Sequence, residues 1–123
     1  MRKIKLRLWD QVHKKMITDI PSHFTFALED GELVVGGNAP NGDWYEPVVM
    51  LFTGVRDTNG KEIYEGDIMK FVGVIESVEE IAWDSGSFVQ KVKGNPEDKI
   101  IDINTSRGEI IGNIYENKEL LNV

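Results

Sequence analysis

Two sharp turns in close succession, DTNG at residues 57–60 and EGD at 65–67, constrain this chain more than any other feature of its sequence. Asn59-Gly60 supplies residues that tolerate positive φ, and Glu65-Gly66-Asp67 makes a second bend. The apolar run before them, Val48 to Thr53 (VVMLFT), suits a buried strand. The segment after them, Ile68 to Ile75, is rich in β-branched and aromatic residues and reads as a central strand. Gly73 inside it marks a bulge or tight curvature, as small barrels require. Residues 53 to 75 therefore form turn and strands within a mostly β domain.

The same pattern continues on both sides. Ile4, Leu6 and Leu8 alternate with Lys3, Lys5 and Arg7, the period-2 signature of a half-buried strand whose basic face is solvated. A polar turn at Asp10 to Lys14 leads to a second strand at Lys15 to Thr18. Phe24, Phe26 and Leu28 alternate again, Asp30-Gly31 is a hairpin signal, and Leu33 to Val35 is the return strand. GGNAPNGD, residues 36–43, reads as a loop. Beyond the central turns, Val78 to Trp83 and Phe88 to Val92 form a hairpin around Asp84-Ser85-Gly86. Short strands at Ile100 to Ile103 and Glu109 to Ile114 precede a short helix at Tyr115 to Leu121.

Composition excludes several functions. The chain of 123 residues fits one ordinary domain and has no cysteine, which removes disulfides, thiolate zinc sites and cysteine nucleophiles. The basic start MRKIKLRLWD has no continuous apolar run of the secretory kind, and no stretch approaches a membrane span. The expectation is a soluble cytoplasmic protein without membrane contact. Net charge is −7, unevenly placed. Residues 1–15 hold six basic side chains against one acid, a net of +5, while residues 16–123 hold eight against twenty, a net of −12. No Lys or Arg occurs between residues 16 and 55. So acidic a body disfavours nucleic acid, whose affinity comes largely from phosphate neutralisation.

No arrangement of reactive residues stands out. His13 and His23 each lie beside a turn with no partner at ligand spacing such as i+4, and read as surface polar residues. Gly36 to Gly42 lacks the Lys-Ser/Thr ending of a P-loop. Asp57, Glu62, Glu65 and Asp67 gather near a glycine turn but break the order of a calcium loop, so Asp57 and Asp67 read as turn carboxylates that accept backbone N–H groups. No serine sits in a G-x-S-x-G elbow. No catalytic, metal or cofactor residue is assigned. Trp44 and Tyr45, after the glycine-rich loop, either anchor a partner or fold back on the core. Trp9, Trp83 and Phe88 lie in strand-like patterns and read as core.

Residues 53–71, TGVRDTNGKEIYEGDIMKF, resemble the central segment of the YopX family of phage and prophage proteins. That segment has the form Thr-Gly-Leu-x-Asp-x-x-Gly-x-x-Ile-Tyr-Glu-Gly-Asp-Ile, matched here by Thr53, Gly54, Asp57, Gly60, Ile63, Tyr64, Glu65, Gly66, Asp67 and Ile68, with Val55 in place of Leu. Arg7, Trp9 and Asp10 echo the family's Arg-x-Trp-Asp start, and IIGNIYENKELL at 110–121 is similar to its terminal Ile-Gly-Asn-Ile-x-Glu-Asn segment. Residues 18–47 and 84–100 match nothing. The resemblance implies phage or prophage origin, expression inside a bacterium and a mainly β fold with a barrel component. It transfers no catalytic role. The motif residues themselves read as structural: Gly54, Gly60 and Gly66 for unusual backbone geometry, Ile63, Tyr64 and Ile68 for core.

The expected fold is a small barrel-like β core, SH3-like or related, of about eight short strands, with an N-terminal β subdomain and a short C-terminal helix. Residues 1–123 are one YopX-like domain, with subdomains 1–35 and 48–123 joined by the Gly/Asn/Pro loop. The expected function is that of a phage accessory protein acting by binding rather than catalysis. Its expected partners are itself, as a homo-oligomer, and an unknown host or phage protein, with Trp44, Tyr45, Lys3, Lys5 and Arg7 as candidate contacts. The alternative is a nucleic-acid-binding barrel that uses the basic first strand.

Overall fold

A computed structural model describes residues 4–39, 41–72, 76–84, 86–92, 100–102 and 108–121. The chain is mainly β, with one sheet curled into a half-barrel, further small sheets and, among the described residues, a single 3-10 turn near the C-terminus. It divides into two compact units, Met1–Leu51 and Phe52–Val123. The break falls inside a strand rather than in the glycine-rich loop.

The first unit holds β1 (Leu6–Asp10), β2 (Lys15–Ile17), β3 (Thr25–Glu29), β4 (Glu32–Asn38), β5 (Trp44–Tyr45) and the start of β6 (Val48–Arg56). β1 lies between β2 and the first residues of β6, antiparallel to both, with Leu8 opposite Ile17 and Val49. A second sheet has the order β3-β4-β5. Asp30 and Gly31 join β3 to β4 with φ of 52° and 82°, the doubly positive geometry of a type I′ hairpin. Leu8, Phe24 and Val35 form the buried core, packed against by Ile17, Ile20, Tyr45 and Val49.

Two expectations fail at β1. Ile4 lies before the strand and is exposed, and Arg7 is buried at 8% exposure instead of standing on a solvated basic face. Arg7 pairs with Met50 of β6, and its Nε donates to the Met50 sulfur at 3.4 Å. β1 is covered on both sides from Arg7 to Asp10, so period-2 alternation does not describe it.

The glycine-rich loop is also shorter than expected. Gly36 and Gly37 continue β4, because aromatic rings fill the space their missing side chains leave. A methyl group on Gly36 would collide with the Trp44 ring, and one on Gly37 would lie 3.0 Å from the Phe24 ring. β4 runs on to Asn38, and the Ala39 N–H then donates to the Asp43 carbonyl at 2.7 Å.

The second unit takes the rest of β6, then β7 (Glu62–Tyr64), β8 (Asp67–Phe71), β9 (Ser77–Asp84), β10 (Ser87–Val92), β11 (Ile100–Asp102), β12 (Gly108–Asn113) and a 3-10 helix at Lys118–Leu121. The latter half of β6 pairs with β7, Phe52 opposite Tyr64. The large sheet runs β11-β10-β9-β8-β12, so β8 is an inner strand, as its composition demands. Ile63, Met69 and Ile81 form its core with Phe71 and Ile110. The two-residue β5 and three-residue β7 help raise the strands above the expected number, and the expected C-terminal helix is one 3-10 turn. Gly73, Ile103 and Lys3 lie outside the described residues. Trp83 is 51% exposed rather than core, and Phe88 is half-buried; the two rings pack edge to face beside the turn of the β9–β10 hairpin, centroids 4.8 Å apart.

Asp67 and Glu79 are both buried on these strands. Glu79 is 5% exposed and receives hydrogen bonds from Gln90 Nε2 at 3.1 Å and the Ser77 hydroxyl at 3.3 Å. Burial pushes its carboxyl above the ordinary glutamate value, only partly offset by Ser77. A raised acid favours folding at low pH, and that contribution is lost as pH rises through its folded value. Glu79→Gln is therefore expected to raise the melting midpoint by a few degrees at pH 7. The gain should fade below about pH 4, near the value of an unfolded glutamate. Thermal melts of both proteins across pH check this, and a gain independent of pH would contradict it.

Candidate functional site

The turn after β1 builds a site from one carboxylate. Asp10, the last residue of β1, is buried, and its Oδ1 accepts the backbone N–H groups of Val12 and His13 at 2.9 and 3.0 Å. Such an Asx turn is the local reason the chain reverses here. The reversal brings the His13 ring back over its own cap, with Nδ1 2.8 Å from Asp10 Oδ2. Tyr45 on β5 donates its hydroxyl to the same oxygen at 3.1 Å. Burial works against charge on Asp10, but the donors from His13, Tyr45 and Val12 outweigh it and hold the carboxyl below the ordinary aspartate value. Burial, the bond to Asp10 and its charge all raise the Tyr45 hydroxyl.

These groups sit at one side of a cavity of about 430 Å³, lined by Asp10, His13, Lys15, Ile17, His23, Phe24, Asn38 and Tyr45. Every lining residue belongs to the first unit. Phe24 and Asp10 are buried, Tyr45 and Ile17 are half-buried, and His13, Lys15, His23 and Asn38 are exposed. The His23 ring lies beside Phe24, centroids 4.5 Å apart, and Phe24 meets Tyr45 edge-on at 6.2 Å. Gly37 matters here too, since it leaves the room that the Phe24 ring occupies.

The chemistry available follows from the hydrogen bonds. With Nδ1 committed to the Asp10 carboxylate, His13 works through Nε2, the pairing that orients an imidazole for proton transfer or for donation to a ligand. No nucleophilic serine or threonine lines the cavity. Among the described residues, no three His, Asp or Glu side chains stand close enough to hold a metal ion. Asp10→Asn is expected to release the His13 ring and loosen the turn. The amide presents a donor where Tyr45 and His13 both need an acceptor, or else gives up the two backbone bonds. The expected cost is about 2 kcal/mol, read by urea denaturation, together with a shifted His13 ring signal in NMR.

The cavity gathers residues that sequence reading had dispersed. His13 and His23 were expected to be unrelated surface residues, yet both line it, and the i−3 relation of Asp10 to His13 was the one local signal. Tyr45, a candidate partner contact, is a cavity wall. Trp44 is 54% exposed, its ring lying over Gly36, outside the cavity. Lys5 is exposed and Arg7 is buried away from solvent.

The central motif has a different character. Gly54, Gly60 and Gly66 all take positive φ, at 90°, 79° and 86°. The Thr53 hydroxyl donates to the Ile63 carbonyl at 2.8 Å. Asp57 Oδ1 accepts N–H groups from Asn59 and Lys61, both at 2.9 Å, and its Oδ2 accepts that of Ile110 at 3.0 Å. Asp67 Oδ2 accepts the Tyr64 N–H at 2.8 Å. Ile63, Tyr64 and Ile68 are buried, and Glu65 is half-buried. Asn113 plays a like part in the terminal segment, its Oδ1 accepting N–H groups of Tyr115 and Glu116 at 3.0 and 2.9 Å.

Comparison with known proteins places these features in a wider set. The family model described as YopX protein matches residues 5–122. Among solved structures, protein EF1440 from Enterococcus faecalis is similar over 98% of this chain and 99% of its own, at 27% identity and a TM-score of 0.64. No curated protein gives a significant match.

Proposed function

This chain belongs to the YopX protein family, and on that premise we propose that it is a phage- or prophage-encoded accessory protein that acts by binding, with the cavity of the first unit as its binding site. The observation that carries this reading is the state of Asp10. The cavity's one carboxylate is consumed by four internal donors. Its remaining polar groups, on His13, Lys15, His23 and Asn38, face a concavity floored by aromatic rings. A few convergent polar groups over an apolar floor are the usual make-up of a ligand pocket. Binding is favoured over catalysis because the lining offers a base without a nucleophile. The nucleic-acid alternative loses support with Arg7, whose burial removes one of its three cations.

The test is NMR titration of the protein with the small-molecule fraction of a bacterial extract. Shifts confined to His13, His23, Phe24 and Tyr45 are expected, and no shift in any of them would refute the reading.

Self-association belongs to the same proposal. β3 is the outer strand of its sheet among the described residues, and all five of its residues are exposed. Phe26, Leu28 and Leu33 leave apolar side chains on that hairpin. A second copy pairing along β3 would cover them. Light scattering is expected to give a dimer that Leu28→Lys converts to monomer. A monomeric wild-type protein at high concentration would end this part.

A further inference from the structure

We infer that the cavity takes a phosphorylated small molecule of mononucleotide size, its phosphate held by Lys15, His13 and His23 and its flat apolar part laid against Phe24 and Tyr45. This rests on the reading that the cavity is the binding site, and it names the chemical class of the ligand.

The polar groups of the cavity are unevenly committed. Its only carboxylate already accepts four hydrogen bonds, so little acceptor capacity is left for a cationic ligand. The groups left over include donors on Lys15, on the Asn38 NH₂ and on one ring nitrogen of His23, and His13 Nε2 joins them when that ring is protonated. Among the described residues, the Lys15 ammonium, the Asn38 amide, the His13 Nε2 and the ring nitrogens of His23 make no hydrogen bond or ion pair. Lys15 is also the last fixed cation before Arg56. In a chain with a net charge of −7, a lysine and two imidazoles line this cavity, and the lone pairs of its carboxylate are already taken up by Val12, His13 and Tyr45, so an incoming anion finds donors on Lys15 and the imidazoles.

Size and shape narrow the anion. Three donors from separate side chains suit a group with three outward oxygens better than a planar carboxylate. About 430 Å³ leaves room for more than a bare ion. The surplus space is bounded by Phe24, Tyr45 and Ile17, with the His23 ring set beside Phe24 at an interplanar angle of 32°. Flat aromatic surfaces beside a phosphate site match a nucleobase, which stacks on such rings irrespective of sequence. Long-range repulsion from the acidic body weighs against a polyanion, since each added phosphate meets negative charge, whereas a single phosphate is governed by the donors it touches.

Isothermal titration in a low-salt, phosphate-free buffer tests this with AMP, adenosine, inorganic phosphate and a 5′-phosphorylated oligonucleotide. AMP is expected to bind at least tenfold more tightly than adenosine or phosphate. Lys15→Ala and His13→Gln, both at exposed positions, should each weaken AMP about tenfold, while Lys70→Ala in the second unit changes nothing. Equal binding of AMP and adenosine, or no AMP binding at millimolar concentration, overturns the inference. Tighter binding of the oligonucleotide than of AMP overturns the choice of a small ligand. If bacterial extract shifts the cavity signals while AMP binds nowhere, the binding site stands and only the ligand class is lost. If neither has any effect, both are lost.

Discussion

Gly66→Val is expected to destabilise the protein by about 3 kcal/mol or more, and Gly66→Ala by about 1–2 kcal/mol. Gly66 sits at φ 86° in the turn between β7 and β8. A residue with a side chain there brings Cβ against its own backbone, and β-branching makes the clash worse. The backbone cannot relax away cheaply because both of its polar groups are engaged. The Gly66 N–H donates to the Ile81 carbonyl and its own carbonyl accepts the Ile114 N–H, each at 2.8 Å. Turning Gly66 out of positive φ would therefore break its ties to β9 and to the segment after β12 together. Urea midpoints of the two variants should fall in the order wild type, Ala, Val. A valine variant with an unchanged melting temperature would show that the turn carries no such strain.

Some of this structure was open to the sequence because the responsible physics is local. Asp30-Gly31 specifies a type I′ hairpin through two adjacent residues that tolerate positive φ, and the hairpin forms at that place. The run of β-branched and aromatic residues from Ile68 gives an inner strand. Where the deciding neighbour is distant, the reading failed. Arg7 was placed on the solvent side by alternation, but Met50 lies across from it and covers it. Gly36 and Gly37 looked like loop residues, yet Trp44 and Phe24 supply the bulk that two glycines lack, and the strand continues. The cavity is the clearest instance. Its Asp10–His13 pair arises from a turn, whereas His23, Asn38 and Tyr45 arrive from three further segments, and no spacing rule connects them.

The central motif and the cavity also divide the labour differently from what a family signature suggests. The motif's carboxylates are spent on backbone N–H groups, so its residues are fixed by folding. Asp10, from the weaker opening echo, is the family-like residue that reaches a site where a ligand could sit.

Asp57→Asn is expected to cost about 2 kcal/mol and Asp57→Ala about 4 kcal/mol at pH 7, since charge-assisted hydrogen bonds to buried groups are worth roughly 1.5–3 kcal/mol each but are not additive. The Asp57 side chain is 6% exposed and holds three backbone N–H groups, two within its own turn and one on Ile110 of β12. Asparagine has one acceptor oxygen, so its NH₂ must face either Ile110 or the turn, leaving a buried donor opposed by a donor. Alanine leaves all three N–H groups without acceptors. Burial acts against the Asp57 charge, but the bonds from Ile110, Lys61 and Asn59 and the Lys61 charge outweigh it, and its carboxyl is held below the ordinary value. A lowered acid stabilises the fold at pH above its unfolded value of about 3.9, and that contribution is lost as pH falls through the folded value. The gap between wild type and Asp57→Asn should therefore narrow on acidification; wild type is the more stable of that pair at pH 7, whereas at Glu79 the variant is. Urea denaturation at pH 7, 5 and 3 separates the two. A gap that stays constant would mean that shape, not charge, is what Asp57 contributes. Because the Thr58 N–H also donates to the Gly108 carbonyl at 3.0 Å, the 57–60 turn is stitched to β12 at two points. Loss of Asp57 should consequently expose the amides of β12 to hydrogen exchange before those of β9 and β10.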